Sequence, residues 1–213
     1  MRRLVVAILC NFAFHAAVSA HVVDEYMEAA QIAVASDGVR VELRFTPGVD
    51  VADRVLALID LDRNGEISQA EGEGYVQRVL QDVALSLDSR QMPLTLIGLE
   101  FPAIERIKGG TGTIRIDLKT AAPLSAPGLH QLSFRNDHLP DIAQYGANVL
   151  VPETTTIQIG AQRRDEFQHV LQTEFRILPS ATPWGSWRII TPLSGLGVIV
   201  LALGWWGLHR FFR

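Results

Sequence analysis

Cysteine is almost absent from this chain: the single one among its 213 residues is Cys10. It lies in an apolar N-terminal stretch, so the remainder of the chain can form no internal disulfide bond and offers no thiolate to a metal ion. The preceding residue, Leu9, is not the small residue that a lipoprotein signal requires. Cys10 is therefore interpreted as an ordinary part of the apolar stretch.

An excess of basic residues is also lacking, since 19 Lys and Arg residues stand against 23 Asp and Glu residues. Arg2 and Arg3 precede the apolar stretch; without them 17 basic residues remain, and the formal net charge falls from −4 to −6. An acidic domain of this kind tolerates cations and is a poor partner for nucleic acid or for an anionic membrane surface.

Motifs of the common enzyme classes are missing as well. The sequence contains no GxSxG, no HExxH, no phosphate-binding loop and no isolated Cys/His pair. Asp137, Asp141 and Glu153 are the acids that a paired-carboxylate mechanism would use, but acidic residues in surface loops are mostly solvated. The sequence therefore predicts a protein that is not an enzyme.

Residues 1–20 have the order of a secretory signal peptide. A basic start, MRR, is followed by the apolar run LVVAILCNFAFHAAV and by the small-residue sequence VSA, which ends at Ala20. The apolar run is too short for a stable membrane span, so we expect cleavage before His21; an uncleaved N-terminal anchor is the alternative. Export predicts a periplasmic or extracellular main domain over residues 21–179.

Residues 189–208, IITPLSGLGVIVLALGWWGL, are uncharged and match the roughly 20 residues that a bilayer-spanning helix needs. The aromatic residues near its two ends, typical of membrane interfaces, are Trp184, Trp187, Trp205 and Trp206. Arg210 and Arg213 in the tail, residues 209–213, indicate a cytoplasmic end. With a juxtamembrane tether at residues 180–188, the sequence predicts a single-pass, type I protein of the inner membrane; a buried core helix is the alternative.

Between these ends the dominant hydrophobic period is two, the period of a strand with one buried face. In VRVELRF, the apolar residues Val39, Val41, Leu43 and Phe45 alternate with charged ones. Further strand candidates are EAAQIAVA, DVALSLD, PLTLIGLEF, TIRIDLK, HQLSFR, NVLVP, TTIQI and TEFRIL, separated by turns such as SDG and KGGTG. We expect a mainly β domain, built as an antiparallel β-sandwich or an open barrel.

One region, residues 50–83, has the period of helices instead. The apolar face of DVADRVLALI is formed by Val51, Val55, Leu58 and Ile59. Asp50 is the expected N-cap of this helix, and GYVQRVLQDV has a similar apolar face. We therefore expect a helix–loop–helix inserted between two strands.

The residues DLDRNGEISQAE, from Asp60 to Glu71, lie between the two helices and match a calcium-binding EF-hand loop. Such a loop supplies oxygen ligands from positions 1, 3, 5, 7, 9 and 12 and turns sharply at a glycine in position 6, which here is Gly65. The expected ligands are Asp60, Asp62, Asn64, Glu66 through its carbonyl, Ser68 through a water, and Glu71 as a bidentate carboxylate. Ile67 at position 8 is expected to form a short β-bridge and to enter the core.

The alternative interpretation, a solvated acidic turn, does not require Gly65, Ile67 and Glu71 to occur together. Ca²⁺ is the expected cofactor, because a seven-coordinate cage closed by a bidentate glutamate is too large and flexible for Mg²⁺. EF-hands usually occur in pairs, but the sequence contains no second loop of this pattern. A solitary loop must form its β-bridge with a partner molecule or with a neighbouring strand, or leave that edge open. We expect it to pack on its own sheet and to bind weakly, with a Kd of about 10⁻⁴ to 10⁻³ M.

Several segments across residues 21–178 together resemble bacterial exported domains of uncharacterised function that accompany membrane proteins of the HupE/UreJ type. The segments are HVVDEYMEAAQIAV, FTPGVDVADRVLALIDLDRNGEIS, YVQRVLQDVALSLD, PLTLIGLEFP, GTIRIDL and LSFRNDHLPDIAQYGANVLVPE. Proteins of the HupE/UreJ type are thought to handle nickel or cobalt, so the resemblance implies an accessory or sensory exterior domain beside a transporter. A single predicted membrane helix cannot enclose a transport path by itself.

Handling of nickel or cobalt would need histidine ligands, and the exterior segment contains His21, His130, His138 and His169. The α-amino group and imidazole of a mature N-terminal His21 would chelate copper or nickel. None of the four shows the close pairing that is typical of zinc or nickel sites. His21 is therefore interpreted as a residue beside a cleavage site, and His138 as a loop residue.

Two functions are consistent with these patterns. The first is a membrane-anchored calcium-binding module, in which the ion orders a structural or partner-binding surface. The second is an accessory domain of a nickel or cobalt transport system. Both place a transporter or another membrane protein among the expected partners.

Overall fold

The computed structural model describes residues 24–120, 124 and 126–179, and strands dominate this part of the chain. The predicted mainly β class is thereby confirmed. The strands are β1 (Tyr26–Ala35), β2 (Gly38–Pro47), β3 (Val83–Leu87), β4 (Arg90–Met92), β5 (Leu94–Glu100), β6 (Ile114–Thr120), β7 (Gly128–Asn136), β8 (Ala143–Val149), β9 (Ile157–Arg164) and β10 (Val170–Ile177). The helices are α1 (Val49–Ile59), α2 (Gln69–Asp82) and α3 (Ile104–Lys108).

The strands form two five-stranded sheets. Sheet 1 has the order β5-β6-β2-β1-β8, and sheet 2 has the order β4-β3-β7-β10-β9. Neighbouring strands are antiparallel except β1 and β8, which run parallel and pair Tyr26 with Ala143 through Ile32 with Val149. The expectation of a wholly antiparallel arrangement is wrong at this pair, because β8 reaches sheet 1 from β7 of sheet 2 and not through a hairpin with β1.

The alternation in β1 shows how the period of two builds the core. Its inward residues, all buried, are Tyr26, Glu28, Ala30, Ile32 and Val34. Apolar side chains from both sheets and from the three helices join one hydrophobic cluster, to which Phe45 of sheet 1 and Phe134 and Phe175 of sheet 2 contribute. Burial of this shared face is the main favourable contribution to folding. Along the chain, helices α1 and α2 follow β2 of sheet 1 and precede β3 of sheet 2, in the region where the sequence predicts them.

Two short elements differ from the sequence-based expectation. Strand β4 follows β3 through a tight turn at Asp88 and Ser89, whose φ angles are 50° and 65°. Helix α3 has only five residues, of which Ile104 and Ile107 are buried. Both elements are too short for a hydrophobic period to reveal them. Strand β8 also begins earlier than NVLVP, because its first residues, AQYGA, lack the β-branched residues by which strands are recognised.

Side chains of β9 cover the free edge of β8. The side-chain oxygen of Gln162 accepts from the N–H of Val149 at 2.9 Å, and its amide nitrogen donates to the carbonyl of Val149 at 2.8 Å. Arg164 donates to the carbonyl of Ala147 at 2.7 Å. At Val149 and Ala147 these side chains take the hydrogen-bonding place of a neighbouring strand, which hinders pairing of the β8 edge with another chain.

We expect Gln162→Ala to lower the free energy of unfolding by about 1–2 kcal/mol, because it leaves both backbone groups of Val149 without their partners. Chemical denaturation measures the change. Gln158→Ala, on the same strand but exposed, is the matched control and should change the stability little. Equal stability of the two variants would contradict a role of Gln162 in closing the edge.

A buried carboxyl links the two sheets. Oε2 of Glu28, on β1, accepts from the side-chain amide of Asn136, on β7, at 2.7 Å, while Oε1 has no hydrogen-bond partner among the described residues. Glu28 is 1% exposed, and burial raises its pKa to about 9 against the hydrogen bond from Asn136, which lowers it. At neutral pH the side chain is therefore a neutral acid.

This raised pKa lowers stability above pH 4.5, because the folded state must keep a proton that the unfolded chain releases. The contribution is absent below the unfolded pKa and grows as pH rises towards the folded one. We expect Glu28→Gln, a neutral isostere, to raise the free energy of unfolding by about 2–3 kcal/mol at neutral pH. Denaturation of both proteins across a pH series measures this. A variant that is less stable than the wild type at neutral pH, or equally pH-dependent, would contradict a neutral Glu28 in the fold.

No helix within the described residues is long and apolar enough to cross a membrane. The predicted signal peptide at residues 1–20 and the predicted tether, membrane helix and tail at residues 180–213 lie outside the described residues.

Candidate metal centre

The two helices that flank the loop are fixed by their apolar faces. The buried residues are Val51, Ala52, Val55, Leu56 and Ile59 in α1, and Gly72, Tyr75, Val76 and Val79 in α2. The N-cap of α1 is Gly48, so the prediction of Asp50 is wrong; Asp50 lies in the first turn, where its charge meets the positive end of the helix dipole. Leu58, predicted on the buried face, is only half-buried, and Leu56 belongs to that face instead.

The loop turns through two residues in the left-handed backbone region. Arg63 has a φ of 59° and Gly65 a φ of 83°. A Cβ at Gly65 would meet no atom within 4 Å, so glycine is favoured there by its backbone conformation and not by lack of space. The sharp turn predicted at position 6 of the loop is therefore present.

Side-chain oxygens of the loop accept hydrogen bonds from its own backbone. Asp60 accepts from the N–H groups of Asn64 and Gly65, each at 3.1 Å. Asp62 also accepts from the N–H of Asn64 at 3.1 Å, and Oδ1 of Asn64 accepts from the N–H of Glu66 at 2.8 Å. These bonds wind the backbone around the acidic side chains and hold Asp60 close to Asp62.

Asp60, Asp62 and Glu71 converge. Each contributes one carboxylate oxygen to a group of atoms that lie within 4.8 Å of one another. Among the described residues, no Lys or Arg forms an ion pair with any of the three. Carboxylates this close repel one another, and a cation between them would remove the repulsion. The cluster can therefore hold a metal ion.

The carboxylate of Glu71 accepts hydrogen bonds both from the N-cap of α2 and from the loop backbone. Its Oε2 accepts from the N–H of Ser68 at 3.0 Å and from the Ser68 hydroxyl at 2.6 Å, which closes a capping box on α2. Its Oε1 accepts from the N–H of Leu61 at 2.8 Å. The bonds from the Ser68 hydroxyl and N–H, helped by those from the backbone of Asp62 and Leu61, lower the pKa of Glu71 to about 2. The carboxylate is thus ionised at any physiological pH.

The other three predicted ligands lie in the same loop without joining this cluster of carboxylates. Asn64 donates its side-chain N–H to Asp62 at 2.9 Å. Glu66 is exposed, and its side chain is outside the cluster, as expected if only its carbonyl binds. Ser68 is the N-cap of α2. Metal ligation by Asn64, Glu66 and Ser68 stays a prediction.

Ile67 is half-buried and packs against the hydrophobic core, as predicted, but it forms no β-bridge. In paired EF-hands that bridge joins two loops, and the described residues contain no second loop of this kind. A β-bridge to a neighbouring strand is therefore absent from the described residues, and a bridge to a partner molecule stays a prediction. The loop gains its support from the packing of Ile67 and of the two helices.

The chain matches no protein-family model, no curated protein and no solved structure. The resemblance to exported domains that accompany HupE/UreJ-type proteins therefore stays a prediction.

The histidines of the described residues are engaged in hydrogen bonds. Both ring nitrogens of His130 lie 2.8 Å from an acceptor, Asp88 on one side and the carbonyl of Ala126 on the other. His169 has Nδ1 3.2 Å from a carboxylate oxygen of Asp137. His138 is buried, with 3% exposure, so its interpretation as a loop residue missed its burial. RNDHLPDI offers no hydrophobic period that would have revealed this, and His21 lies outside the described residues.

We expect Ser68→Ala to raise the pKa of Glu71 from about 2 towards the ordinary range, since the hydroxyl of Ser68 contributes most to the lowering. Because a depressed pKa favours folding above the unfolded value and is lost as pH falls, acid unfolding should begin at a higher pH. NMR titration of the Glu71 carboxyl carbon measures the pKa. Ser68→Thr keeps the hydroxyl and is the control; an unchanged pKa in the alanine variant would contradict the assignment.

Proposed function

We propose that this protein is an exported, membrane-anchored calcium-binding module, in which the ion orders a structural or partner-binding surface. The observation that carries the proposal is the convergence of Asp60, Asp62 and Glu71 on a loop that turns at Gly65 between two packed helices. This is the arrangement by which an EF-hand presents hard oxygen ligands to Ca²⁺. The two sheets then act as a β-sandwich into which a single EF-hand is inserted.

Ca²⁺ is favoured over other cations by the chemistry of the ligands. The predicted set offers only oxygen atoms, from carboxylates, an amide, a carbonyl and a hydroxyl through water, which suits hard cations and not nickel or cobalt. The loop is open to solvent at Asp62, and its turn is wound by hydrogen bonds between its own side chains and backbone. Such a flexible cage suits the irregular seven-fold shell of Ca²⁺ better than the strict octahedron of Mg²⁺.

The affinity for Ca²⁺ should be low, because Glu71 would have to exchange hydrogen bonds for contacts with the ion. Its two carboxylate oxygens accept four hydrogen bonds, from the N–H groups of Leu61, Asp62 and Ser68 and from the Ser68 hydroxyl. A bidentate contact with Ca²⁺ would replace some of these bonds, and their loss offsets part of the binding free energy. This supports a Kd of about 10⁻⁴ to 10⁻³ M, the range of extracellular modules.

The proposed surface is the exposed side of the loop and the helices beside it. Arg63 and Glu66 are exposed there, and Leu61 is 57% exposed although it is apolar. Order imposed on the loop by the ion would fix these side chains relative to the two sheets. A membrane-protein partner, such as a transporter, is supported by the predicted anchor at residues 189–208 and by the sequence resemblance.

The alternative, an accessory domain for nickel or cobalt transport, rests on that resemblance. Two of the described histidines, His130 and His138, do not favour it, because both ring nitrogens of each already contact protein acceptors or donors. Nickel binding that is lost on His21→Ala would support this alternative instead.

Titration calorimetry of the full chain with CaCl₂ tests the proposal. We expect saturable binding in the submillimolar to millimolar range, and a loss of affinity of roughly tenfold or more in Glu71→Gln, which cannot bind Ca²⁺ through two charged oxygens. Glu73→Gln is the matched control, since Glu73 lies in the same turn of α2 and, within the described part of the chain, its side chain has a hydrogen bond with Gln69 and none with the loop. No binding at millimolar Ca²⁺, or equal affinity of the Glu71 variant and the wild type, would contradict the proposal.

A further inference from the structure

A chain of hydrogen-bonded, mostly buried polar side chains contacts α2 at Tyr75 and at its last residue, Asp82. The hydroxyls of Tyr26 and Tyr75 are 2.7 Å apart, and the Tyr75 hydroxyl is 3.1 Å from Nε2 of His138. Nδ1 of His138 is 2.8 Å from a carboxylate oxygen of Asp82. Tyr26, Tyr75 and His138 are each at most 3% exposed. The chain joins β1, α2 and the segment after β7.

The hydrogens of this chain have one consistent arrangement when His138 is neutral. The carboxylate of Asp82 can only accept, so Nδ1 of His138 donates to it and Nε2 is left as an acceptor. The Tyr75 hydroxyl then donates to Nε2, and the Tyr26 hydroxyl donates to the oxygen of Tyr75. Every hydrogen in the chain has a partner.

A second proton on His138 breaks this arrangement. Nε2 then donates to the oxygen of Tyr75, and one of the two phenol hydrogens, on Tyr75 or on Tyr26, has no remaining acceptor among the described residues. A buried donor without a partner is unfavourable. The geometry therefore ties the position of the Tyr75 side chain to the protonation state of His138.

The groups that face His138 come from each element packed against it. They are Tyr26 on β1, Tyr75 and Asp82 on α2, Asn136 at the end of β7, and Tyr145 on β8, while β2 contributes the apolar ring of Phe45. Glu28 on β1 is linked to this group through its hydrogen bond with Asn136. Burial lowers the pKa of His138, and the carboxylate of Asp82 opposes that effect. Asp82 is thus the nearby anion that favours the charged ring.

Helix α2 connects this chain to the loop. Glu71 lies in its first turn, Tyr75 lies one turn further on, and Asp82 is its last residue. Gly72, next to Glu71, packs so closely on Phe101 that an added Cβ would lie 2.7 Å from the ring. A shift of Tyr75 is therefore transmitted along a rigid, close-packed helix to the carboxylate that closes the loop.

We propose that His138, acting through Tyr75 and Asp82, positions α2 and thereby couples cation binding at the loop to its own protonation. The inference rests on the proposed calcium site and adds its regulation. His138 is a positioning residue, since it contacts none of the predicted ligands. Neutral His138 holds α2 in the position that presents Glu71, and acidification weakens both this hold and the binding of the cation.

The test is calcium titration of the full chain from about pH 7.5 down to the pH at which NMR shows the His138 ring to be doubly protonated, because burial lowers the pKa of this ring below the ordinary histidine value. We expect roughly fivefold or greater loss of affinity at the lower pH, a size common for coupling between two sites. His138→Gln keeps an acceptor for Tyr75 but gains no proton, so its affinity should change clearly less with pH. His130→Gln is the control, because His130 also pairs with a carboxylate but contacts no residue of α2.

Asp82→Asn provides a second variant that keeps the hydrogen bond to His138 and removes only the negative charge. Loss of that charge should move the midpoint of the affinity change to lower pH, which a merely structural role of Asp82 would not do. Because coupling is reciprocal, saturating CaCl₂ should also lower the pKa of the His138 ring, followed by NMR, by the corresponding factor.

The outcomes separate the two proposals. Calcium binding that depends equally on pH in the wild type and in His138→Gln, together with a His138 titration that ignores CaCl₂, would overturn the coupling and leave the calcium site intact. Absence of calcium binding at about pH 7.5 would overturn both.

Discussion

Helix α2 meets two demands at once, and the arrangement of the loop and of the core depends on how it does so. Its first turn holds the carboxylate of Glu71 against Ser68 and the loop backbone. Its buried face carries the polar hydroxyl of Tyr75 into the core, where it is satisfied by Tyr26 and His138. A helix anchored by apolar packing alone would tolerate small rotations; the buried hydrogen bonds of Tyr75 specify one position.

Three titrating groups act on this arrangement with different signs. The depressed pKa of Glu71 favours folding above the ordinary range of a carboxyl and loses that effect in acid. The depressed pKa of His138, caused by burial, has no effect above the ordinary pKa of histidine, and it lowers stability as pH falls below that value, because the unfolded chain takes up the proton first. The raised pKa of Glu28 acts in the opposite direction, because it lowers stability as pH rises above 4.5. The free energy of unfolding is therefore lowered in acid by Glu71 and His138, and it is lowered by Glu28 as pH rises.

Much of the fold can be predicted from the sequence, because hydrophobic periods and residue spacings within single segments determine it. Alternation in β1 and β2 and the helical period of α1 identify those elements, and the spacing from Asp60 to Glu71 with Gly65 predicts the turn and the acidic cluster that the structure contains. What escaped prediction depends on contacts between distant segments. The parallel pairing of β8, the cap of α1 at Gly48 and the burial of His138 are decided by tertiary packing, for which RNDHLPDI and AQYGA carry no periodic signal.

The central claim is that Ca²⁺ binds among Asp60, Asp62 and Glu71, and the backbone amide of Gly65 reports on it most directly. This N–H donates to Oδ2 of Asp60 at 3.1 Å, so a cation bound to that carboxylate polarises the hydrogen bond. We predict a large, saturable shift of the Gly65 amide signal in NMR spectra as CaCl₂ is added, and the same shift only at higher concentration in Glu71→Gln. A Gly65 signal that does not move up to millimolar CaCl₂ would contradict the account.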